Sequence, residues 1–500
     1  MSNHSTLQPE LSNATLSNLS TLIPALDVPT YARERLRIGI AHIGVGNFHR
    51  VHQATYIDSC LHLPGHEDWA ICGIGLGDTA GARAKADAFR QQDGLYCVIE
   101  FPASGKTFSR VIGAMVDYLH APSDPDAVLD RLADPATRIV SLTITEGGYN
   151  IDEATGNFML NTPNVASDLE GHAPRTVFGY LTEALRRRMQ AGEQAFTVLS
   201  CDNLRKNGDT ARRAVLAFAQ ARDPALATWI AEHVQFPNSM VDRIAPSVPE
   251  NMHKVLTCIS GIRDLTPAIG EPYTQWVLED RFSAGRPDFA AVGVEMRSDV
   301  DSFEAMKGRL LNASHMLLAY PAILMGYRLV AEAMADPLLY CLLNRFMERD
   351  VIPILDGPLD VSLYRYKDKV LERFANPAMA DQLLRVAHDG AAKLPVFHSQ
   401  TICQLVTKGG YIERIAFLLA CFNAYLRGID EQGQSFEVKE PHLNDTDWTL
   451  LKSGDPLALL ATSPFTAMQL ADHPVLRNSY LAMVNAINSD GLRATLSRIL

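Results

Sequence analysis

The chain has 500 residues, 47% hydrophobic and 20% charged, with 45 basic against 57 acidic side chains and a formal net charge of -12. That length predicts two or more domains with ample cores, and the composition excludes a disordered or fibrous chain. An acidic balance without a basic face argues against nucleic-acid partners, and no apolar run reaches the ~18 residues of a membrane span.

The N-terminus lacks a basic segment followed by an apolar core, so no secretory signal is expected. The eight cysteines are scattered, without CxxC or a Cys/His ligand pattern. Together these features predict a cytoplasmic protein with reduced thiols and no metal site. The densest basic run, Arg186-Arg187-Arg188, falls in a helical pattern and reads as a solvated helix face.

Residues 1–30 are rich in Ser, Thr, Asn and Leu and read as an arm or irregular helix. A first strand is predicted over Arg37–Gly44, followed by a helix from Phe48 to Leu61 and a second strand over Trp69–Leu76. A helix over Thr79–Gln92 and strands over Tyr96–Ile99 and Arg138–Thr145 come next, then a helix over Thr176–Ala191 and a strand over Phe196–Cys201. Alternation of this kind predicts an α/β domain with a mostly parallel, doubly wound sheet and helices on both faces. From Phe303 the pattern turns helical: Phe303–Met325, Leu329–Met334, Leu338–Arg349, Leu363–Phe374, Ala378–Ala387, Ile412–Leu426 and Pro474–Asp490. The expected organisation is an arm (1–30), a Rossmann-type dinucleotide domain (31–295) and a mostly α-helical substrate domain (296–500).

Gly44-Val-Gly46-Asn47-Phe48 follows the first strand and opens a helix, where a doubly wound fold places its phosphate-binding turn. Gly44 would permit the tight turn, and Gly46 would let backbone N–H groups approach a pyrophosphate at the helix N-terminus. His49 stands where a third glycine is usual, so an ordinary tight turn is the alternative. Asp78, past the second strand, could accept from an adenosine ribose and disfavour a 2′-phosphate, which favours NAD over NADP; it could equally be a helix N-cap. Thr145 and Glu146 end one strand in a polar, Gly-rich turn, and Asn203 follows another. Carboxyl ends of strands hold the ligand in such sheets, although both could be plain strand-to-loop transitions.

Lys307, Asn312 and His315 lie inside an apolar helix. On an α-helix, at ~100° per residue, Asn312 falls about 140°, His315 about 80° and Glu304 about 60° from Lys307, all on one side. Burying such groups is costly unless they are paired or serve a site, although a lone lysine usually snorkels to water. The set suits alcohol oxidation. A desolvated lysine can act as a general base near neutral pH, an Asn amide can donate to a developing alkoxide, and His315 could orient the hydroxyl. Glu304 could pass the proton to water or form a simple i,i+3 ion pair.

Five segments together resemble the polyol-specific long-chain dehydrogenases, and most of all their mannitol 2-dehydrogenase branch. They are Ile43-Gly-Val-Gly-Asn-Phe-His-Arg50, Thr143-Ile-Thr-Glu-Gly-Gly-Tyr149, Leu199-Ser-Cys-Asp-Asn-Leu204, Phe236-Pro-Asn-Ser-Met-Val-Asp-Arg243 and Lys307-x4-Asn312-x2-His315. The likeness extends in order from near residue 35 to near residue 435. It implies metal-independent, NAD-dependent interconversion of D-mannitol and D-fructose by a protein that commonly works as a monomer, with the site in the cleft between a Rossmann and a helical domain. By motif match Lys307 would be the general base, Asn203 and Asn312 the oxyanion hole, and His315 a substrate-orienting group. Asp242 would hold polyol hydroxyls, with Arg385 and Lys393 as further substrate contacts or ordinary surface charge. Two positions depart from the family pattern: Asn47, where a small residue is common, and Arg205, where proline is usual. With Lys206, Arg205 adds positive charge that leaves NADP open as a secondary cofactor.

Sister reactions on the same fold, D-arabinitol 4-dehydrogenase or fructuronate reductase, are the alternatives. A uronate needs a cationic clamp, which Asp242 would oppose. A non-catalytic nucleotide sensor would have no use for a base and an oxyanion hole.

Overall fold

The computed structural model describes residues 8–152, 156–466, 468 and 473–500. Its chain divides into two units, Met1–Asp301 and Ser302–Leu500. The first is built on a five-stranded, wholly parallel sheet whose spatial order is Met115–His120, Ala70–Gly75, Ile38–Ile43, Ile139–Leu142, Thr197–Ser200. In chain order this is 3-2-1-4-5, the doubly wound arrangement, with its switch point between Ile38–Ile43 and Ile139–Leu142. These central strands are almost continuously apolar because helices cover both faces of a parallel sheet. The helices start and stop on local chemistry. Thr176 accepts from Gly179 N at the head of Val177–Ala191, and Gly192 closes that helix at φ +74.

Several elements differ from the sequence expectation. The expected helix over Phe48–Leu61 is two helices, Asn47–Val51 and Gln53–Leu61, broken at His52, whose Nε2 is 2.8 Å from the Gln275 carbonyl oxygen. Tyr96–Glu100 belongs to a separate mixed sheet with Leu26–Asp27, Phe108–Ile112 and Ala268–Gly270. Met115–His120, a full member of the parallel sheet, was hidden because Asp117 and half-exposed edge positions break its apolar pattern. A third small sheet joins Ser239–Asp242, Gln275–Leu278 and Glu295–Met296. The N-terminal segment is a regular helix, Asn13–Leu22, and a short strand, with Leu11, Leu19 and Leu26 buried against Leu95, Cys97, Val111 and Ile262. The first seven residues of that expected arm lie outside the described residues.

The second unit is helical. The stretch expected as one helix over Phe303–Met325 is wound in three parts: α over Val300–Met306, π over Lys307–Asn312, α over Ala313–Leu324. Ala378–Ala387 is interrupted, with Ala380 in the left-handed region, and only Leu383–Ala387 forms an α-turn. A 19-residue helix, Gly390–Lys408, was not anticipated because Pro395 inside it reads as punctuation. No helix among the described residues is long and apolar enough to cross a membrane.

A buried ion pair ties this unit together. Arg414 donates to both oxygens of Asp350, at 2.5 and 2.7 Å, and to the Ile499 carbonyl near the C-terminus. Both side chains are almost wholly buried, so losing one partner strands a charge. Arg414→Met is expected to cost about 3–5 kcal/mol in chemical unfolding. The double variant Arg414→Met/Asp350→Leu is expected to recover most of that loss.

Candidate functional site

In the first unit the site grows from the switch point. Gly44 leaves the Ile38–Ile43 strand at φ +98, and a Cβ there would run into the Thr143 carbonyl of the neighbouring strand end. Only glycine meets both demands. The Thr143 hydroxyl donates to the Gly44 carbonyl at 2.6 Å, binding the two strand ends together. Gly46 N-caps the Asn47–Val51 helix, and a Cβ there would meet nothing closer than 3.8 Å, so the approach to this helix end is open. These features fit a dinucleotide pyrophosphate: glycine turn, free approach, helix N-terminus, switch point.

The missing third glycine has a structural counterpart. His49 is buried and stacks on His42 of the strand, ring centroids 3.4 Å apart and nearly parallel at 11°. His42 is fixed by Ser141 Oγ at 2.8 Å and Thr143 Oγ1 at 2.9 Å, and burial pushes it down to about 3, so it stays neutral. A flat stack of neutral imidazoles thus fills the helix–strand contact that glycine usually closes. Asn47 turns its side chain away from the turn, accepting from Arg50 Nη2 at 2.6 Å and donating to the Pro246 carbonyl at 3.4 Å. Phe48 stacks on His52.

Asp78 is exposed and paired with Arg83 at 2.5 Å. The helix cap is Thr79, which accepts from Ala82 N, so the alternative reading of Asp78 as the N-cap falls away. Thr145 sits at φ +63, ψ 168, a region essentially reserved for glycine and costing about 1–3 kcal/mol for other residues. The group that holds it there is Asp202, whose carboxylate accepts from Ile144 N at 3.0 Å, Thr145 N at 2.9 Å and the Tyr149 hydroxyl at 2.8 Å. Burial holds the Asp202 carboxyl above its ordinary value, and those three donors offset only part of the rise. Asp202 was not singled out from sequence, although it adjoins Asn203 in the same motif. Glu146 and Asn203 are exposed beside this clamp, and Asp242 is buried at the end of its strand, opposite Gln275.

In the second unit, Lys307 opens the π-turn and Asn312 closes it. An i→i+5 turn holds one more residue than an α-turn, so Asn312 comes round close to the face of Lys307. The separation of about 140° expected for a uniform α-helix is therefore corrected. Lys307 is 8% exposed, while Glu304, Asn312 and His315 are half-buried. His315 lies flat on Phe374, centroids 3.7 Å apart at 6°. Arg309, inside the π-turn, is buried and donates to Thr401 Oγ1 at 2.9 Å and Gln404 Oε1 at 2.8 Å, pinning the turn to the Gly390–Lys408 helix.

Arg385 is half-exposed and donates through Nε and Nη2 to both oxygens of Asp381, at 2.8 and 2.7 Å. Lys393 donates to the His388 carbonyl at 2.6 Å. The helix carrying Lys393 is capped by Glu440, which accepts from Gly390 N at 3.0 Å and Ala391 N at 2.8 Å. Burial nonetheless pushes the Glu440 carboxyl up to about 7. Among the described residues no group of three or more His, Cys, Asp or Glu is placed to hold a metal ion.

Comparisons with known proteins cover nearly all of the chain. The profile of the mannitol dehydrogenase Rossmann domain matches residues 38–291, and that of the mannitol dehydrogenase C-terminal domain matches 299–488. A polyol:NADP oxidoreductase of Gluconobacter oxydans is 45% identical over 96% of this chain and 99% of its own. A mannitol 2-dehydrogenase of Phaeosphaeria nodorum is 40% identical over 98% of this chain and 86% of its own. Among solved structures, the Pseudomonas fluorescens mannitol 2-dehydrogenase in ternary complex with NAD and D-mannitol superposes with a TM-score of 0.89 at 40% identity, covering 98% of this chain and 99% of that one. A substrate-free D-sorbitol dehydrogenase gives 0.88 at 44% identity, covering 97% and 100%.

Two outcomes follow from the geometry. Thr145→Gly is expected to raise stability by about 1 kcal/mol, strain relief of about 1–3 less a glycine entropy cost of up to about 1. It should also weaken NADH binding as the turn loosens. Paired melting curves and fluorescence titrations check both. Glu440 is an acid whose folded pKa, about 7, lies above its ordinary 4.5, so its contribution to stability falls as pH rises between those values. The loss is at most about 3 kcal/mol. Unfolding measured across that window should show a smaller slope in Glu440→Gln.

Proposed function

The chain belongs to the mannitol dehydrogenase family, and from that premise we propose that it interconverts D-mannitol and D-fructose, with NAD as the main dinucleotide and NADP as a secondary one. The polyol dehydrogenase class follows from the family; the particular sugar, cofactor preference and residue roles are our reading. The observation that carries it is the π-turn, which holds a buried lysine at one end and a carboxamide at the other within a largely buried helical stretch.

In this reading a bound nicotinamide ring supplies the hydride acceptor for oxidation and the donor for reduction. Lys307 takes the proton of the secondary hydroxyl as the carbinol carbon loses its hydride, and returns it in the reverse direction. Asn312 and Asn203 donate to the oxygen as it gains charge. His315, held flat by Phe374, orients the hydroxyl, and Glu304 exchanges the proton of Lys307 with water. No metal is required in this scheme.

Charge supports a neutral polyol over a uronate. Asp242 is a buried acid, and Arg385 already commits the Nε/Nη2 side of its guanidinium to Asp381, which offsets much of the positive charge a uronate clamp needs. For the cofactor, the Asp78 carboxylate favours a ribose hydroxyl. Arg83, at 2.5 Å, offsets its charge and supports secondary use of NADP, in line with the likeness to the polyol:NADP oxidoreductase of Gluconobacter oxydans.

The test is oxidation of NADH and, in parallel, NADPH by the purified protein with D-fructose, beside fructuronate, D-xylulose and L-sorbose, with chelator present and the product of fructose reduction resolved as D-mannitol or D-sorbitol. Fructose turnover insensitive to chelator is expected, faster with NADH. Lys307→Ala should lower kcat by about 10²–10⁴-fold while NADH still binds. Faster turnover of fructuronate would move the substrate, and an active Lys307→Ala enzyme would remove the base assignment.

A further inference from the structure

Behind the dinucleotide turn the first unit holds a cavity of about 340 Å³. Asn47 and Arg50 wall one side, Ala84, Lys85 and Ala88 of the Ala80–Gln91 helix another, and residues of 247–253 and 265–267 the rest. Apart from Asn47, no residue assigned to the dinucleotide lines it. Residues 84–88 lie more than a turn inside their helix, so the cavity is set back from the carboxyl edge where the dinucleotide belongs.

Its charged lining has one sign. Arg50 and Lys85 face it beside the His253 imidazole, and its lining residues include no Asp or Glu. Arg50 is 7% exposed and donates to four neutral oxygens: Gly46 O at 3.3 Å, Thr266 O at 2.5 Å, Pro267 O at 3.3 Å and Asn47 Oδ1 at 2.6 Å. Asp264, whose charge reaches Arg50 through space, is held by Gln92, Cys97 N and Thr266 N. Lys85 donates to the Val45 carbonyl, and burial together with the Arg50 charge pushes its ammonium down to about 8. Two like charges, largely withdrawn from water, with no carboxylate hydrogen-bonded to either and only Asp264 acting on Arg50 through space, form a wall that an anion would relieve.

We propose that this cavity, framed by Arg50, Lys85 and His253, is a second binding site for a phosphomonoester anion, separate from the dinucleotide site. A tetrahedral, acceptor-only dianion suits a guanidinium and an ammonium beside an imidazole N–H, with Ser247 and Thr266 at the same wall. The volume exceeds what phosphate alone fills, and Ala84, Ala88, Val248 and Leu265 offer a surface for a small carbon body, so a sugar phosphate is the better occupant than free phosphate. The site is coupled to the cofactor turn. Lys85 and Arg50 hold the Val45 and Gly46 carbonyls, so an anion that draws them away loosens the turn. Anion and dinucleotide then weaken each other by the same factor.

The test is calorimetric titration of the full-length protein with D-glucose 6-phosphate and with inorganic phosphate, alone and with saturating NADH or NADPH. Saturable binding is expected, tighter for the sugar phosphate, surviving either dinucleotide but weakened severalfold. NADH affinity should fall by the same factor at saturating anion. His253→Ala, which leaves the turn carbonyls alone, should weaken the anion at least fivefold and leave NADH affinity in anion-free buffer unchanged; Lys85→Met should abolish anion binding. Tighter binding of inorganic phosphate would keep the site and make free phosphate its occupant. Absence of saturable binding up to roughly 10 mM overturns the proposal. So does abolition by NADH, which would put the anion on the dinucleotide turn, or abolition by NADPH alone, which would make the cavity a 2′-phosphate pocket. Unchanged binding in His253→Ala would place the anion elsewhere and equally sink the idea.

Discussion

The contact between two neighbouring strand ends governs the first unit. The chain must leave Ile43, reverse direction and begin a helix at Asn47 while Thr143 passes alongside, and the space left for Gly44 admits no side chain. The Thr143 hydroxyl, the His42 imidazole and the His49 ring packed on it all serve that junction. The open helix end at Gly46 follows from the same turn, as do the carbonyls that Lys85 and Arg50 hold from behind. Cofactor binding, helix packing and the rear cavity therefore share one backbone geometry, and the proposed coupling between the two sites is a consequence of that sharing.

The second unit solves a different problem, which is to keep polar groups inside an apolar helix. An α-helix would place Asn312 well round the helix from Lys307, whereas one extra residue in the turn brings the two together. Arg309 points from the same turn into the Gly390–Lys408 helix, where Thr401 and Gln404 receive it. The π-turn is thus braced by one of its own side chains while two others are brought to a common face. A helical irregularity that costs backbone hydrogen bonding is retained where it arranges chemistry.

Charge pairing separates the groups that serve structure from those offered to ligands. Asp350 with Arg414 and Asp381 with Arg385 are satisfied within the unit. Asp202 spends its carboxylate on two backbone amides and a phenol, and in exchange holds Thr145 in a conformation it would not otherwise adopt. Arg385 could have been read as paired from its i,i+4 spacing to Asp381 alone. Asp202 could not, because its partners lie nearly 60 residues away and become neighbours only when two strands align.

The amino-acid sequence by itself determined the features carried by consecutive residues. The alternation of apolar strands and amphipathic helices specifies the doubly wound sheet. The Ile43–Arg50 motif specifies the turn, and the apolar run around Lys307, Asn312 and His315 specifies a helix with chemistry on it. Only the tertiary structure decided what depends on distant partners or on departures from a regular period. The Thr145 strain held by Asp202, the Glu440 cap on a helix 50 residues away, the capture of Tyr96–Glu100 by a second sheet and the one-signed lining of the rear cavity are of the first kind. The π-winding from Lys307 to Asn312 is of the second, since a periodic reading assumes the very 3.6-residue turn that the chain abandons there. Local propensity acts along the chain and leaves its mark on neighbouring letters, whereas hydrogen bonds and ion pairs act through space and are settled only when the loops between them have closed.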